Sequence, residues 1–245
     1  MKKLKKIIFI LPFVISFIPL SCNASNHLNN IYFNDFQFWR MMDGYWEAKN
    51  TYFDSDMNYI IRSYSSLIII KLHKKNYSET EYRFYPYGIA ATRYGKGLVK
   101  EGEGIEIEVN YSGKLIDDNG TMGNIHADHG GVSMGNGVKY EILGGNEALR
   151  SNKKAGNTID SYRLYTTFIS PNYRLRSNFG LYYKSLDEKP GSMRAFILSQ
   201  DQRIKSEDFN IRRNNLRKKF NIKVVSVADL NNEGQSHVYR LDEVN

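Results

Sequence analysis

Asp43-Gly44-Tyr45-Trp46-Glu47-Ala48-Lys49-Asn50-Thr51-Tyr52-Phe53 is a glycine turn that runs directly into an aromatic strand. Gly44 gives the backbone a freedom that side chains deny, and Trp46, Thr51, Tyr52 and Phe53 are types that favour a pleated, half-buried surface. The segments downstream repeat this pattern. Tyr59 to Leu72 is the most hydrophobic part of the body, and Leu67 to Ile70 does not alternate, which predicts cover on both faces. Ser78 to Tyr85 does alternate: Thr80, Tyr82 and Phe84 share one face, and Glu79, Glu81 and Arg83 the other. Ile105, Ile107 and Val109 likewise oppose Glu106 and Glu108.

Turn chemistry separates these runs. Asp54 to Asn58, Asn119-Gly120, Asn136-Gly137, Pro171-Asn172, Pro190-Gly191 and Asn231 to Gly234 all read as reversals. Thr158 to Ser170 and Tyr173 to Lys184 form the longest hairpin. In its second arm Tyr173, Leu175, Phe179, Leu181 and Tyr183 are expected on one face, with Arg174, Arg176, Asn178 and Lys184 on a solvated one. A short strand is expected around Ala90 to Tyr94, and Asn146 to Asn157 reads as a polar loop. Phe33 to Met42 has the spacing of a short amphipathic helix suited to covering one end of a sheet. Ser206 to Phe220 reads as a helix with Glu207 and Asp208 at its positive end. Strands over Ile222 to Val227 and His237 to Leu241 finish the chain. The fold class is therefore mainly β: one antiparallel meander of about ten strands, closed or nearly closed into a barrel, with one C-terminal helix.

Composition agrees and narrows the function classes. Aromatics make up 13% of the residues, with 18 Tyr against 13 Phe, so many rings carry a wet edge. Four of the excess cations, Lys2, Lys3, Lys5 and Lys6, lie in a leader, and removing them takes the formal charge from +8 to +4. That value gives no ground for a nucleic-acid partner. The apolar run Ile7 to Leu20 with Pro12 and Pro19 is shorter than a span of roughly 18 or more apolar residues. It reads as a signal peptide over residues 1–24, before a lead-in and short helix over 25–42 and the barrel domain over 43–245. Export to the bacterial periplasm or cell envelope follows. Cys22 is the only cysteine, and lipidation there competes with cleavage after Ala24. Either way the domain has no disulfide.

Gly44-Tyr45-Trp46 at the first long strand, Arg203 at the end of a late strand, and the helix from Ser206 followed by another strand resemble the lipocalin and wider calycin barrels. In that family the tryptophan packs at the closed end under the arginine, so the resemblance implies that Trp46 meets Arg203 as a structural closure. It also implies a ligand cavity. Thr158, Asp160 and Tyr162 only echo the family's Thr-Asp-Tyr turn, and the body is longer than a minimal eight-stranded barrel needs.

A closed barrel of eight to ten strands is wide enough to hold one small ligand. The aromatic faces supply its expected lining: Tyr82, Phe84, Tyr162, Leu164, Phe179, Leu181 and Tyr183. The expected partner is a small hydrophobic molecule or lipid, with ordinary core packing the alternative use of the same residues. His126, Asp128 and His129 have metal-ligand chemistry but too few companions for a closed site, so no metal or cofactor is expected. Glu101, Glu103, Glu106 and Glu108 read as the solvated side of a strand rather than an acid–base pair, and no catalytic residue stands out. An enzyme, hydrolase or isomerase, on the same scaffold is the second reading, and a solid-core envelope protein the third. Arg212, Arg213, Arg217, Lys218 and Lys219 make the late helix basic enough to meet an anionic membrane surface. An outer-membrane barrel conflicts with charges expected along the outward face, namely Arg174, Arg176, Glu106 and Glu108.

Overall fold

The computed structural model describes residues 31–53, 60–94, 97–129, 132–133, 138–144, 147–152, 159–183, 193–228 and 236–242. Its strands are β1 (Gly44–Phe53), β2 (Ile60–His73), β3 (Asn76–Tyr85), β4 (Gly104–Leu115), β5 (Met122–His129), β6 (Val132–Ser133), β7 (Val138–Gly144), β8 (Glu147–Asn152), β9 (Ile159–Ser170), β10 (Tyr173–Tyr183), β11 (Met193–Ile204), β12 (Ile222–Ala228) and β13 (Ser236–Arg240). Antiparallel ladders run β4-β3-β2-β1-β11-β10-β9-β8-β7-β5, and β5 pairs back onto β4, which closes a ten-stranded barrel. The closure across the chain's first and last barrel strands sets Trp46 opposite Arg203.

β4 is the branch point. Val109 to Leu115 pair with β5, whereas Gly104 to Ile107 pair in parallel with β12, and β13 lies outside β12. The chain is thus a meander with one return: after the barrel closes, it comes back to cover the half of β4 that β5 leaves bare.

We call the end where β1 begins the lower end. A 3-10 turn (Phe33–Asp35) and α1 (Gln37–Met42) fill it. Phe33, Phe38, Trp39 and Met42 are all buried there. The Trp39 ring lies edge-on to Phe33, Tyr140 and Tyr77 at 4.9, 5.4 and 5.7 Å, a geometry that aromatic quadrupoles favour. Its Nε1 donates to the Gly120 carbonyl at 2.8 Å. Gly120 has φ +83°, and a Cβ there would press into Phe36 and Ile142, so both the turn and the plug need glycine.

The outer layer lies against β2, β3 and β4. α3 (Phe209–Lys219) inserts Phe209 and Leu216 against Leu67, Phe84, Ile222 and Val225. Leu67 packs outward into this layer while Ile68 and Ile70 pack inward, which is why the run Leu67 to Ile70 lacks alternation. A 3-10 turn over Ser206–Asp208 precedes α3, and no side-chain cap bond forms there.

Two local expectations are corrected. Ala90 to Tyr94 is helical, within α2 (Tyr87–Tyr94): Ile89 and Ala90 donate to the Pro86 carbonyl, and Ala90 and Ala91 join the interior cluster. Ala90 and Ala91 are strong helix formers, and their burial against the interior agrees with that propensity. Glu147 to Asn152, expected within a loop, is strand β8, paired on both sides with β7 and β9. Its polar composition concealed the buried Ala148 on the inner face. Asp54 to Asn58, Asn136-Gly137, Pro190-Gly191 and Asn231 to Gly234 lie outside the described residues.

Candidate functional site

Cross-strand register identifies the inner face. Ala48 stands opposite Asp201 and Ser66, and Asn50 opposite Ser199 and Tyr64. Arg174 stands opposite Asp201 and Phe168, and Arg176 opposite Ser199 and Thr166. Ser66 faces Arg83, and Ile68 faces Glu81. Because neighbours across a ladder share a face, these residues ring one interior level, a polar belt above the aromatic lower end.

The belt is built of ion pairs and hydrogen bonds. Arg174 Nε donates to Asp201 Oδ2 at 2.7 Å, and Arg176 Nη2 to Asp201 Oδ1 at 3.1 Å. Arg83 donates through Nε and Nη2 to Glu81 Oε2 at 2.9 and 2.7 Å, and Nη2 also reaches the Tyr111 hydroxyl at 2.7 Å. Asn50 links three strands, accepting from Ser199 Oγ at 2.6 Å and donating to Ser66 Oγ at 3.0 Å. The Tyr77 hydroxyl donates to Glu79. Asp201, Arg174, Glu81 and Glu79 are 0%, 1%, 2% and 4% exposed, so these charges have left water and depend on one another. Burial pushes the Glu81 carboxyl up, but Arg83 and then Arg176 more than offset it and hold the group below the usual carboxylate range. Burial likewise opposes charge on Arg176, yet Asp201, Glu81 and Glu79 raise its pKa and keep it protonated.

Above the belt three apolar side chains of the inner face are described, and by register Arg62, Arg150 and Asn178, whose side chains fall outside the description, share that face with them. Tyr52 follows the parity of Asn50, Leu164 that of Thr166, and Ile197 that of Ser199. All three pack on the interior cluster yet remain only partly buried. Tyr52, Tyr64 and Tyr85 form a ladder with ring centroids 6.0 and 4.7 Å apart. Burial, then the neighbouring Tyr52, pushes the Tyr64 phenol well above its ordinary value. Buried, hydrogen-bonded charge thus lies below three inward-facing side chains, Tyr52, Leu164 and Ile197, that are only partly buried.

The expected lining residues divide. Leu164 faces inward and packs, partly buried, on the interior cluster. Tyr82 and Phe84 do not line the interior: they sit on the outer wall under α3, Phe84 in the buried layer and Tyr82 with its ring 5.8 Å from Phe209 and under the Arg213 guanidinium at 3.9 Å. The alternation was read correctly and its direction inverted, because a helix covers the apolar outer face and the charges inside neutralise one another. The same inversion moves Arg174 and Arg176 inside. Tyr162, Phe179, Leu181 and Tyr183 have their backbone in β9 and β10, and their side chains fall outside the described structure.

Trp46 is fully buried between two guanidiniums, Arg203 at 4.3 Å and Arg174 at 4.4 Å from the ring. Arg203 Nε donates to the Pro171 carbonyl at 3.0 Å, and its two Nη atoms donate to the carbonyls of Met41 and Asp43. Gly44 has φ +123°, and a Cβ there would strike Arg203 Nη1. The glycine and the arginine of the opening turn therefore need each other.

Glu106 is not solvated. It is 0% exposed and accepts from Arg213 Nε at 2.9 Å and Arg217 Nη2 at 3.1 Å, which turns half of the basic helix inward. Arg212 pairs with Glu47 at 2.7 Å, and Glu103 accepts from Arg240 at 2.6 and 3.1 Å. With Arg174, Arg176 and Glu106 committed elsewhere, the described polar residues exposed on the outer wall include Lys49, Lys71, Gln200 and Gln202, where a lipid-facing band would be apolar. His126, Asp128 and His129 lie on β5 with side chains outside the description. Among the described residues no three metal-ligating side chains converge.

No protein-family model and no curated protein matches the chain. Among solved structures it is similar to a redesigned β barrel at 10% identity, over 69% of this chain and 97% of that one, with a TM-score of 0.31. It is also similar to the protein EF1p2_mFAP2b bound to DFHBI at 11% identity, over 69% and 98%, with a TM-score of 0.31. At that distance neither likeness bears on the site.

Of the belt residues, Asn50, Ser199 and Asp201 carry no expectation from sequence and Arg174 and Arg176 are expected on the solvated face, although a signal for some existed. If Arg203 faces Trp46, then Asp201, Ser199 and Ile197 share its parity and must face inward too. β10 has no such anchor.

Proposed function

We propose that this barrel is a binding module for a small amphipathic molecule, whose apolar part lies against Tyr52, Leu164 and Ile197 and whose polar end meets the belt around Arg83 and Arg176. The observation that carries this reading is the partial exposure of those three inward-facing residues directly above buried, hydrogen-bonded charge. A concave apolar wall with a few placed polar groups is the usual form of a small-molecule site. The leader of residues 1–24 supports a place in the cell envelope, either free after cleavage or held by a lipidated Cys22. Native mass spectrometry of the mature protein purified from its envelope fraction tests the reading. An adduct of defined mass that leaves when Leu164 and Ile197 are both replaced by Trp supports it. A ligand-free barrel that also ignores fatty acids, fatty alcohols and haem in titration overturns it and favours the solid-core alternative, for which the filled lower end is the supporting observation.

A further inference from the structure

The lower end carries a second concave surface, away from the partly exposed Tyr52, Leu164 and Ile197. Tyr32, Phe33 and Asn34 at the first 3-10 turn, Arg40 and Asp43 at the end of α1, and Leu72, His73 and Lys74 where β2 turns into β3 line a cleft of about 420 Å³. That volume falls within the range of roughly 300–1,000 Å³ usual for small-molecule sites. Its walls are anchored. Phe33 N donates to the Lys74 carbonyl at 3.3 Å, which ties the 3-10 turn to the hairpin, and Phe33 and Leu72 both pack on the interior cluster.

Cations outnumber anions in this cleft. Asn34, Arg40, His73 and Lys74 are exposed, and among the described residues their side chains make no hydrogen bond or ion pair. Asp43 is the one carboxylate among the lining residues. Burial pushes its carboxyl up, while Arg203, the backbone N–H groups of Gly44 and Leu72, and Lys71 pull the other way. Asp43 is thus already served by partners outside the Arg40 and Lys74 side chains. Asp35, the nearest carboxylate in sequence, accepts from the Tyr32 N–H at 2.7 Å. A guanidinium fork and an ammonium without partners, on one concave surface with an amide and an imidazole, form a donor set suited to an oxyanion.

We infer that this cleft holds a phosphate monoester, whose oxygens accept from Arg40 and Lys74 with Asn34 and His73 beside them, and whose short organic stem rests on Phe33 and Leu72. The site is independent of the interior ligand proposed above. Two sources supply this chemistry, a free phosphorylated metabolite and a phospholipid head group. Tyr32 lines the cleft, so the segment that leads back to the leader departs from its rim. A chain held by a lipidated Cys22 would keep Ile31 within about 30 Å of the bilayer, since each residue spans at most about 3.5 Å.

Isothermal titration of the mature protein at physiological ionic strength with glycerol 3-phosphate, and with glycerol as the neutral control, tests this. The ester is expected to bind and glycerol is not. Arg40→Gln with Lys74→Gln is expected to weaken the ester about tenfold or more, as losing hydrogen bonds from charged donors does. Lys49→Gln with Lys218→Gln removes the same charge from the outer wall and α3, and at that salt it should change affinity by no more than about twofold. All four side chains are exposed, so neither double variant should move the unfolding midpoint. Flotation with phosphatidylcholine vesicles, with and without phosphatidic acid, separates the sources. Vesicles that carry the protein only when they contain phosphatidic acid, and release it to glycerol 3-phosphate, identify the head group, and any other vesicle result leaves the soluble ester as the source. Failure of glycerol 3-phosphate to bind, or equal weakening by the two double variants, would overturn the inference and leave the interior binding reading untouched.

Discussion

On β2, β3 and β4 both faces of the sheet are largely buried, and they treat charge differently: the inner one sets several charges among Ile68, Ile70, Ile105, Ile107 and Val109, whereas the outer one is mostly apolar. Inward lie Ser66, Glu79, Glu81 and Arg83, joined through the belt to β1, β10 and β11. Outward lie Leu67, Tyr82 and Phe84 beneath α3, with the single buried Glu106 clamped by Arg213 and Arg217. The difference teaches that alternation tells which residues share a face and nothing about which face is the core. A barrel can hold charge inside when the charges are matched, and an apolar face can lie outside when a helix covers it. Matched charges of this kind are seldom stronger than a packed apolar core.

Removing one partner from each face separates the two. Asp201→Ala leaves Arg174 and Arg176 buried without their carboxylate, and the expected loss is about 3–5 kcal/mol in urea unfolding, with hydrogen exchange accelerated throughout the barrel. Glu106→Gln removes only the charge on the outer clamp, where both arginines retain contact with water. The expected loss is about 2 kcal/mol, with faster exchange confined to α3 and β12. Equal and global effects from the two variants would erase the distinction between the faces.

A smaller effect is expected from Arg203→Lys. It keeps the charge but gives up the planar stack on Trp46 and the fork onto three carbonyls, so a loss of about 1 kcal/mol is expected from thermal unfolding. Arg174 remains on the other side of the ring, which limits the damage. The smallest effect lies in the pH dependence. Glu81 has a depressed folded pKa, so its contribution is present above the unfolded value of about 4.3 and is lost as pH falls through the folded one. Glu81→Gln should therefore flatten the acid limb of a stability–pH curve between about pH 5 and 3. An unchanged slope would show that Glu81 does not report the belt.

Much of the fold was legible because turns and alternation are local. Asn119-Gly120 and Pro171-Asn172 each close a hairpin, and the aromatic plug at residues 33–42 and the late helix follow from spacing. The site was only partly legible. Trp46 and Arg203 could be placed together from the opening turn, and through them Asp201, Ser199 and Ile197 on the inner face became accessible to argument. Arg174 and Arg176 read as solvated because isolated arginines on a strand usually are, and their carboxylate, Asp201, is on another strand. β8 was misread because its pairing brings Ala148, a small residue with little strand signal, to the interior; α2 was misread although Ala90 and Ala91 favour a helix, because the surrounding glycines suggested a broken strand.

The branch at β4 has a consequence for how the molecule is made. Gly104 to Ile107 emerge from the ribosome well before Ile222 to Ala228, and until β12 arrives that half of β4 is a bare strand edge. Such an edge is a template for another chain. The lower ring can close on β5 without help, so a nascent chain halted before Ile222 would be nearly a barrel and yet adhesive along one flank. Quality control in the cell would meet this protein at that flank.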